Sequence, residues 1–103
     1  MDALIFNALA DPNRFRIVEL LRKQPYSVNE VAELLKLRQP QASKHLRILT
    51  EAGLVTIRPV AQQRIYALNP EQFIRLEDWA GLFGQHWDQK LTSLEAYFQN
   101  QKP

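Results

Sequence analysis

The segment that decides the fold is SVNEVAELLKLRQPQASKHLRILTEAG, which spans residues 27–53. Its first residue, Ser27, is followed three positions later by Glu30, which is the spacing of a capping box. In such a box the serine hydroxyl and the glutamate carboxylate each accept a hydrogen bond from a free backbone N–H group. Apolar side chains then recur at steps of three and four up to Leu35, which predicts a helix over residues 28–35.

A second helix is predicted over residues 40–52, after a short turn at residues 36–39. Pro40 fits a first helical turn, and Gly53 stands where a left-handed C-terminal cap is expected. The apolar stripe predicted to be buried on this helix consists of Ala42, Leu46 and Leu49. Two helices joined by a tight turn are typical of a helix-turn-helix motif.

Two shorter helices are predicted ahead of this segment. The first covers residues 3–9, and the second runs from Pro12 to about Arg22. Asp11 precedes the second helix and is a residue type that caps free backbone N–H groups. Pro25 ends this part of the chain.

The residues after the helix pair change from helical to alternating periodicity. This alternation predicts a β-hairpin over residues 54–68, with Val60-Ala61-Gln62-Gln63 at its tip. Asn69 and Pro70 then begin a long last helix that reaches about Gln99. Its continuous apolar stripe consists of Phe73, Leu76, Trp79, Ala80, Phe83, Trp87, Leu91, Leu94 and Phe98.

Taken together, the pattern predicts a mainly α fold with a small β-hairpin wing: a winged helix-turn-helix with about five helices. The chain has 103 residues and no internal repeat, which suits a single domain over residues 1–103. No apolar run approaches the roughly 20 residues of a membrane span, so no membrane insertion is expected. The chain has no cysteine. This excludes thiolate metal sites and cysteine nucleophiles and favours a cytoplasmic location.

Positive charge is concentrated in the middle of the chain. Residues 36–64 carry a net charge of +5, whereas residues 1–35 carry −1 and residues 65–103 carry −2. A basic middle between acidic ends is typical of a face turned towards a polyanion such as DNA. An ordinary solvated surface is the alternative, and the charge pattern does not decide between the two.

Several of these residues together resemble the ArsR family of bacterial repressors. The resemblance lies in LADPNRFRIVELL at residues 9–21, in the Gln-x-x-x-Ser-Lys-His-Leu core at residues 39–46, and in Leu49 to Val55. It implies a homodimer formed by the first and last helices, residues 1–22 and 70–99. It also implies repression by binding a palindromic operator, often in the protein's own promoter.

In a helix-turn-helix, the N-terminal residues of the second helix enter the major groove of DNA. The helix-turn-helix here covers residues 28–52, and the wing covers residues 54–68. Arg58 and Arg64 lie at the base of the wing for phosphate or minor-groove contact. The predicted DNA-binding residues are Arg38, Gln39, Gln41, Ala42, Ser43, Lys44, His45, Arg47, Arg58, Gln62, Gln63 and Arg64.

Two of these positions have alternative roles. Relatives usually have a small hydroxyl residue where this chain has Arg38, and a guanidinium cannot accept a hydrogen bond from a helix N–H group. We therefore expect the cap to come from Gln39 or water, or Arg38 to contact a phosphate. His45 either contacts DNA or packs against the turn.

The predicted dimer interface contains large apolar side chains of the first and last helices. These residues are Leu4, Ile5, Leu76, Trp79, Phe83, Trp87, Leu91 and Leu94. Gly81 and Gly84 lie among them and either permit close helix approach or weaken the helix. Alternatively, Trp79, Phe83 and Trp87 form an aromatic pocket for an organic effector.

No metal site and no cofactor are expected. The third helix, where thiolate sensors of the family carry a cysteine pair, has none. Asp78, His86 and Asp88 in the last helix are not spaced to share one face. A symmetric dimer could bring two copies of one residue together, which leaves a weak site open. Relatives without metal ligands include autorepressors, which this chain resembles.

Two other function classes are weighed against a repressor that binds double-stranded DNA and itself. A winged helix can serve as a module that binds only proteins, but the basic face kept here argues for DNA. An enzyme is not expected, because the sequence has no glycine-rich phosphate loop. Ser43 and His45 are two residues apart on a helix and so lie on different faces, which prevents a nucleophile–base pair. An unknown small-molecule or protein effector remains open.

Overall fold

The computed structural model describes the backbone of residues 1–100 and the side chains of residues 1–84 and 88–100. Five helices and three strands follow one another along this part of the chain. In order they are α1 (Ala3–Ala10), α2 (Pro12–Leu21), β1 (Tyr26–Ser27), α3 (Val28–Leu35), α4 (Gln39–Glu51), β2 (Val55–Val60), β3 (Gln63–Leu68) and α5 (Pro70–Asn100). The predicted winged helix-turn-helix is confirmed, with α3 and α4 as the helix pair and β2–β3 as the wing.

The short strand β1 was not predicted. It pairs antiparallel with β3, which gives a three-stranded sheet in the order β1-β3-β2. Tyr26 lies opposite Tyr66, and Ser27 lies opposite Ile65. Two residues are too few to show alternating periodicity, so this pairing depends on a partner about 40 positions away in sequence.

The tip of the wing is tighter than predicted. Val60 and Gln63 form the last pair of the β2–β3 ladder, so only Ala61 and Gln62 connect the strands and the predicted four-residue tip is wrong. Ala61 has φ 54°, the left-handed conformation that the first position of a type I′ hairpin turn requires. An alanine adopts it here although glycine or asparagine is the usual choice.

The predicted helix caps at Asp11 and Ser27 are confirmed. Oδ2 of Asp11 accepts hydrogen bonds from the backbone N–H groups of Asn13 at 2.9 Å and Arg14 at 3.0 Å. Ser27 and Glu30 form the reciprocal capping box, with distances of 3.2 and 2.9 Å. These local bonds fix where α2 and α3 begin.

The start of α4 differs from the prediction. The helix begins at Gln39, one residue earlier than predicted, and Pro40 occupies its second position. The backbone N–H of Arg38 donates to Oε1 of Gln41 at 3.2 Å. The side-chain acceptor at the helix start is therefore Gln41 and not Gln39, because a side chain at the third helical position can fold back to the residue before the helix.

The chain divides into two compact units, residues 2–72 and residues from Phe73 onward. The first unit contains α1 to α4 and the sheet, and α1 packs against α2 and α4. The buried core residues are Ile5, Ala8, Ile17, Leu21, Val31, Ala32, Ala42, Leu46, Leu49, Leu54, Val55 and Tyr66. Gly53 has φ 81°, as its predicted capping role requires. Among the described residues, no helix has the length and apolar character of a membrane span.

Candidate DNA-binding surface

Helix α4 has one buried face and one exposed polar face. Leu46 and Leu49 are fully buried, as predicted, whereas Ser43, Lys44 and Arg47 are exposed. Ala42 is also fully buried. Its assignment to the DNA-binding residues is therefore wrong, because its methyl group packs in the core and cannot reach a ligand in solvent.

The exposed start of α4 lies beside the wing. A cleft of about 310 Å³ opens between α3, α4 and the hairpin. It is lined by Ser27, Val28, Asn29, Ser43, Gln62, Gln63, Arg64 and Tyr66. The structure thus brings Ser43, Gln62, Gln63 and Arg64, four of the predicted DNA-binding residues, to one place.

Arg58 lies on the other face of the hairpin. Arg64 pairs with Pro59 and Arg58 pairs with Ile65 across the ladder. Directly paired residues share a face, and neighbouring pairs alternate between faces. Both arginines are exposed, but only Arg64 borders the cleft. The two predicted wing cations are therefore not equivalent.

The polar residues around the start of α4 are partly engaged with their own chain. Oε1 of Gln41 accepts the backbone N–H of Arg38, so the amide nitrogen of Gln41 is its donor to a ligand. Arg38 and Gln39 are exposed beside it. One turn further on, Arg47 lies 3.9 Å from Glu51, the only acidic residue among residues 36–64. This exposed pair contributes little to stability and leaves Arg47 free to turn towards an anion.

His45 points back into the protein rather than out from α4. Its side chain is 14% exposed, and its Nδ1 lies 3.4 Å from Nη1 of Arg14 and 3.8 Å from Oδ2 of Asp11. Of its two predicted roles, the structure supports packing against neighbouring helices. Sequence reasoning did not find the role of Arg14, since its partners are far apart along the chain and only the tertiary fold brings them together.

The pKa of Asp11 is lowered from its ordinary value. The largest cause is the hydrogen bond from the backbone N–H of Arg14, which stabilises the ionised carboxylate, and the charges of His45 and Arg14 act in the same direction. Desolvation opposes them. Asp11 therefore remains an anion next to His45 at neutral pH.

The predicted dimer residues differ in exposure within one chain. Leu4 is 58% exposed, but Ile5 is only 3% exposed. Ile5 therefore belongs to the core of its own chain, and its assignment to the dimer interface is wrong. The structure gives no support for close helix approach at Gly81 and Gly84, because an added Cβ at either position meets no atom within 4 Å.

The apolar stripe of α5 is largely open to solvent. Phe83, Leu91 and Leu94 are each at least half exposed, whereas Leu76 and Trp79 are half-buried. The rings of Trp79 and Phe83 meet edge to face, with centroids 4.8 Å apart. The side chain of Trp87 lies outside the described residues.

Within the described part of the chain, no group of three or more His, Cys, Asp or Glu side chains is placed to hold a metal ion. Asp78 and Asp88 are exposed on α5. The side chain of His86, the third residue considered for a metal, lies outside the described residues.

Comparison with known proteins supports the fold at the level of sequence. A family described as a helix-turn-helix domain matches residues 9–58. The chain is 38% identical over 87 residues to the HTH-type transcriptional regulator Rv2034 of Mycobacterium tuberculosis, covering 84% of this chain and 78% of that protein. It is 36% identical over 74 residues to the biofilm growth-associated repressor of Agrobacterium fabrum, covering 72% of this chain and 63% of that protein.

Solved structures decide the family. The crystal structure of the ArsR family transcriptional regulator RHA00566 superposes with a TM-score of 0.73 and 29% identity, covering 84% of this chain and 94% of the other. The chain belongs to the ArsR family. A second ArsR-family match, with a TM-score of 0.68 and 26% identity, is the homodimeric winged helix-turn-helix DNA-binding domain of Mb0332 from Mycobacterium bovis. It covers 81% of this chain and 77% of the other.

The family and the fold are those of DNA-binding transcription regulators. This agrees with the helix-turn-helix and wing predicted from the sequence. The ArsR-family relatives also show which structural features need a specific account in this chain: the contacts of α4, the dimer and the release signal.

Proposed function

We propose that this protein is a homodimeric repressor that binds a palindromic operator, in its own promoter, without sensing a metal. The observation that carries the proposal is the position of the exposed face of α4 beside the polar wing. Ser43 on α4 and Arg64 on β3 border the same cleft, and Lys44 is exposed next to Ser43. The middle of the chain carries a net charge of +5, which suits the phosphates of DNA and acts in the cytoplasm, where bacterial DNA lies.

Within this proposal, α4 enters the major groove with its N-terminal half. Ser43 and Lys44 then face base edges or phosphates. Gln41 is expected to read acceptor groups, such as O6 or N7 of guanine or O4 of thymine, through its amide nitrogen. A bidentate bond to adenine would also need Oε1, which instead accepts the N–H of Arg38.

The wing is expected to contact the backbone on one side. Arg64 borders the cleft next to α4, so a phosphate held there would tie the wing and α4 to one strand of the duplex. Gln62 and Gln63 at the tip add neutral hydrogen-bonding groups. Arg58, on the other face of the hairpin, is expected to contribute less.

Homodimer formation is supported by the exposed apolar residues of α5. Leu91 and Leu94 are 53% and 51% exposed in the single chain, and a second copy of the same surface would remove them from water. The M. bovis relative is a homodimer. A two-fold dimer would present its two α4 helices about 34 Å apart, one turn of DNA.

The absence of metal sensing is supported by the donors that the sequence offers. The chain has no cysteine and two histidines, and His45 is engaged by Arg14 and Asp11. The described residues contain no cluster of three metal-ligating side chains.

Fluorescence anisotropy tests the proposal with labelled DNA from the protein's own promoter, random DNA of equal length, and a salt series. We expect tight binding that prefers the promoter and weakens steeply with salt. Joint replacement of Gln41, Ser43 and Lys44 by alanine should remove the preference, whereas Lys23→Ala, an exposed cation on another surface, should not. Weak binding without preference, or a triple variant that binds like the unmodified protein, would overturn the proposal.

A further inference from the structure

The side chain of Arg14 connects three helices. Its Nε donates to the carbonyl oxygen of Ala8 at 2.6 Å, and its Nη2 donates to that of Asn7 at 3.2 Å, so it satisfies two carbonyls at the end of α1. Its Nη1 lies 3.4 Å from Nδ1 of His45 on α4. Because an arginine has no acceptor, this contact requires Nδ1 to be the acceptor and therefore unprotonated.

Asp11 offers His45 a second partner of opposite charge. Its Oδ2 lies 3.8 Å from the same Nδ1 atom while accepting two backbone N–H groups at the start of α2. A neutral His45 accepts from Arg14, whereas a protonated His45 can only donate and is attracted by Asp11 and repelled by Arg14. The other charged group nearby is Glu51 of α4, which lines a cavity with Arg14. Helix α1 presents only carbonyl oxygens to this cluster.

We propose that His45 is a positioning residue that holds α4 against the α1–α2 junction in its neutral form, and that its protonation releases this hold and weakens DNA binding. The inference rests on the proposed DNA-binding function of α4. Ser43 and Lys44 directly precede His45, so a displacement of this turn moves the groups proposed to enter the groove. Arg14 cannot follow His45 without leaving the carbonyl groups of α1, because its guanidinium is already bound at Nε and Nη2.

The sign of the pH dependence separates this role from a direct DNA contact. If His45 touched a phosphate, protonation would add a cation at the interface and strengthen binding in acid. If His45 positions α4, protonation places a second cation 3.4 Å from Arg14 and weakens binding in acid. The two roles therefore predict opposite slopes across the titration range of histidine.

The test uses promoter DNA between pH 5.5 and pH 8 and two substitutions at one position. His45→Asn keeps an acceptor oxygen near the place of Nδ1 but does not titrate, whereas His45→Leu removes the acceptor. We expect the unmodified protein to lose affinity in acid, His45→Asn to keep most of its affinity with a flat profile, and His45→Leu to bind about tenfold more weakly at every pH. His86→Asn replaces the only other histidine and should leave the pH profile unchanged.

A measurement without DNA keeps this inference separate from the proposed function. The ¹⁵N chemical shifts of the His45 ring at pH 8 should report an unprotonated Nδ1, and Arg14→Ala should change them. A protonated Nδ1, or tighter DNA binding in acid, would overturn the positioning role. Failure of the unmodified protein to prefer its promoter, together with the expected ring shifts, would instead refute the proposed function alone.

Discussion

Replacement of Asp11 by alanine is expected to destabilise the protein through the start of α2. Two backbone N–H groups, those of Asn13 and Arg14, donate to one carboxylate oxygen at 2.9 and 3.0 Å. Alanine offers no acceptor, and loss of an Asp cap costs about 1 kcal/mol, up to about 2 kcal/mol, of unfolding free energy. We expect a value in the upper half of this range, because the Asp11 side chain also lies beside His45 and is only 31% exposed.

Asp2 provides a matched control. It caps α1 with the same side chain but accepts only one hydrogen bond, from the N–H of Leu4 at 3.0 Å, at an exposed site. Asp2→Ala should therefore cost about half as much as Asp11→Ala or less. The comparison cancels effects common to any Asp-to-Ala change, such as the loss of one negative charge.

The cost of Asp11→Ala should depend on pH in a defined direction. The folded-state pKa of Asp11 is lowered below the ordinary value of 3.8. Its ionised form therefore stabilises the fold above about pH 4, and this contribution is lost as the pH falls through the lower, folded-state pKa. The difference between the unmodified protein and Asp11→Ala should be constant from pH 7 to pH 5 and shrink towards pH 2.

Urea unfolding followed by circular dichroism measures these differences, at one protein concentration because dimerisation makes stability concentration-dependent. The reasoning would be refuted if Asp11→Ala cost no more than Asp2→Ala at pH 7. It would also be refuted if the cost of Asp11→Ala stayed the same down to pH 2.

Three further predictions concern DNA binding and assembly. Arg64→Ala should lower the slope of log affinity against log salt by about 0.9, and Arg58→Ala by less, as measured by anisotropy; equal effects would contradict the two-faced wing. Gln41→Glu should preserve thermal stability, since a carboxylate also accepts the N–H of Arg38, but shift the preferred base towards cytosine in a binding assay with all four base pairs; an unchanged preference would exclude Gln41 from base reading. Leu94→Glu should convert the dimer to a folded monomer in light scattering, and a dimer of unchanged affinity would place the interface elsewhere.

Features that depend on neighbours in sequence were predictable here. The capping box at Ser27, the cap at Asp11 and the left-handed Gly53 follow from side chains that act within three or four residues of their own position. The winged helix-turn-helix then follows from the order of these elements and their apolar periodicity. The same periodicity identified Leu46 and Leu49 as buried and left Ser43 and Lys44 on the exposed face of α4.

The tip of the wing and the start of α4 show where local reasoning stopped short. A four-residue tip without glycine was expected, but Ala61 accepts a left-handed conformation, since the strand register leaves only two residues to turn. At α4 the acceptor came from Gln41 rather than Gln39. In both places the periodicity was right and the position was off by one residue or so, because pairing and side-chain geometry set the boundary.

By itself the sequence determined which helices and strands form, which of their faces are apolar, and that the middle of the chain is basic. These properties depend on side-chain chemistry and on spacing along the chain. The tertiary structure alone decided that β1 joins β3, that Arg58 and Arg64 face apart, and that His45 lies between Arg14 and Asp11. Each of these depends on residues brought together from distant positions, and the direction of a side chain in space is fixed only when the elements pack.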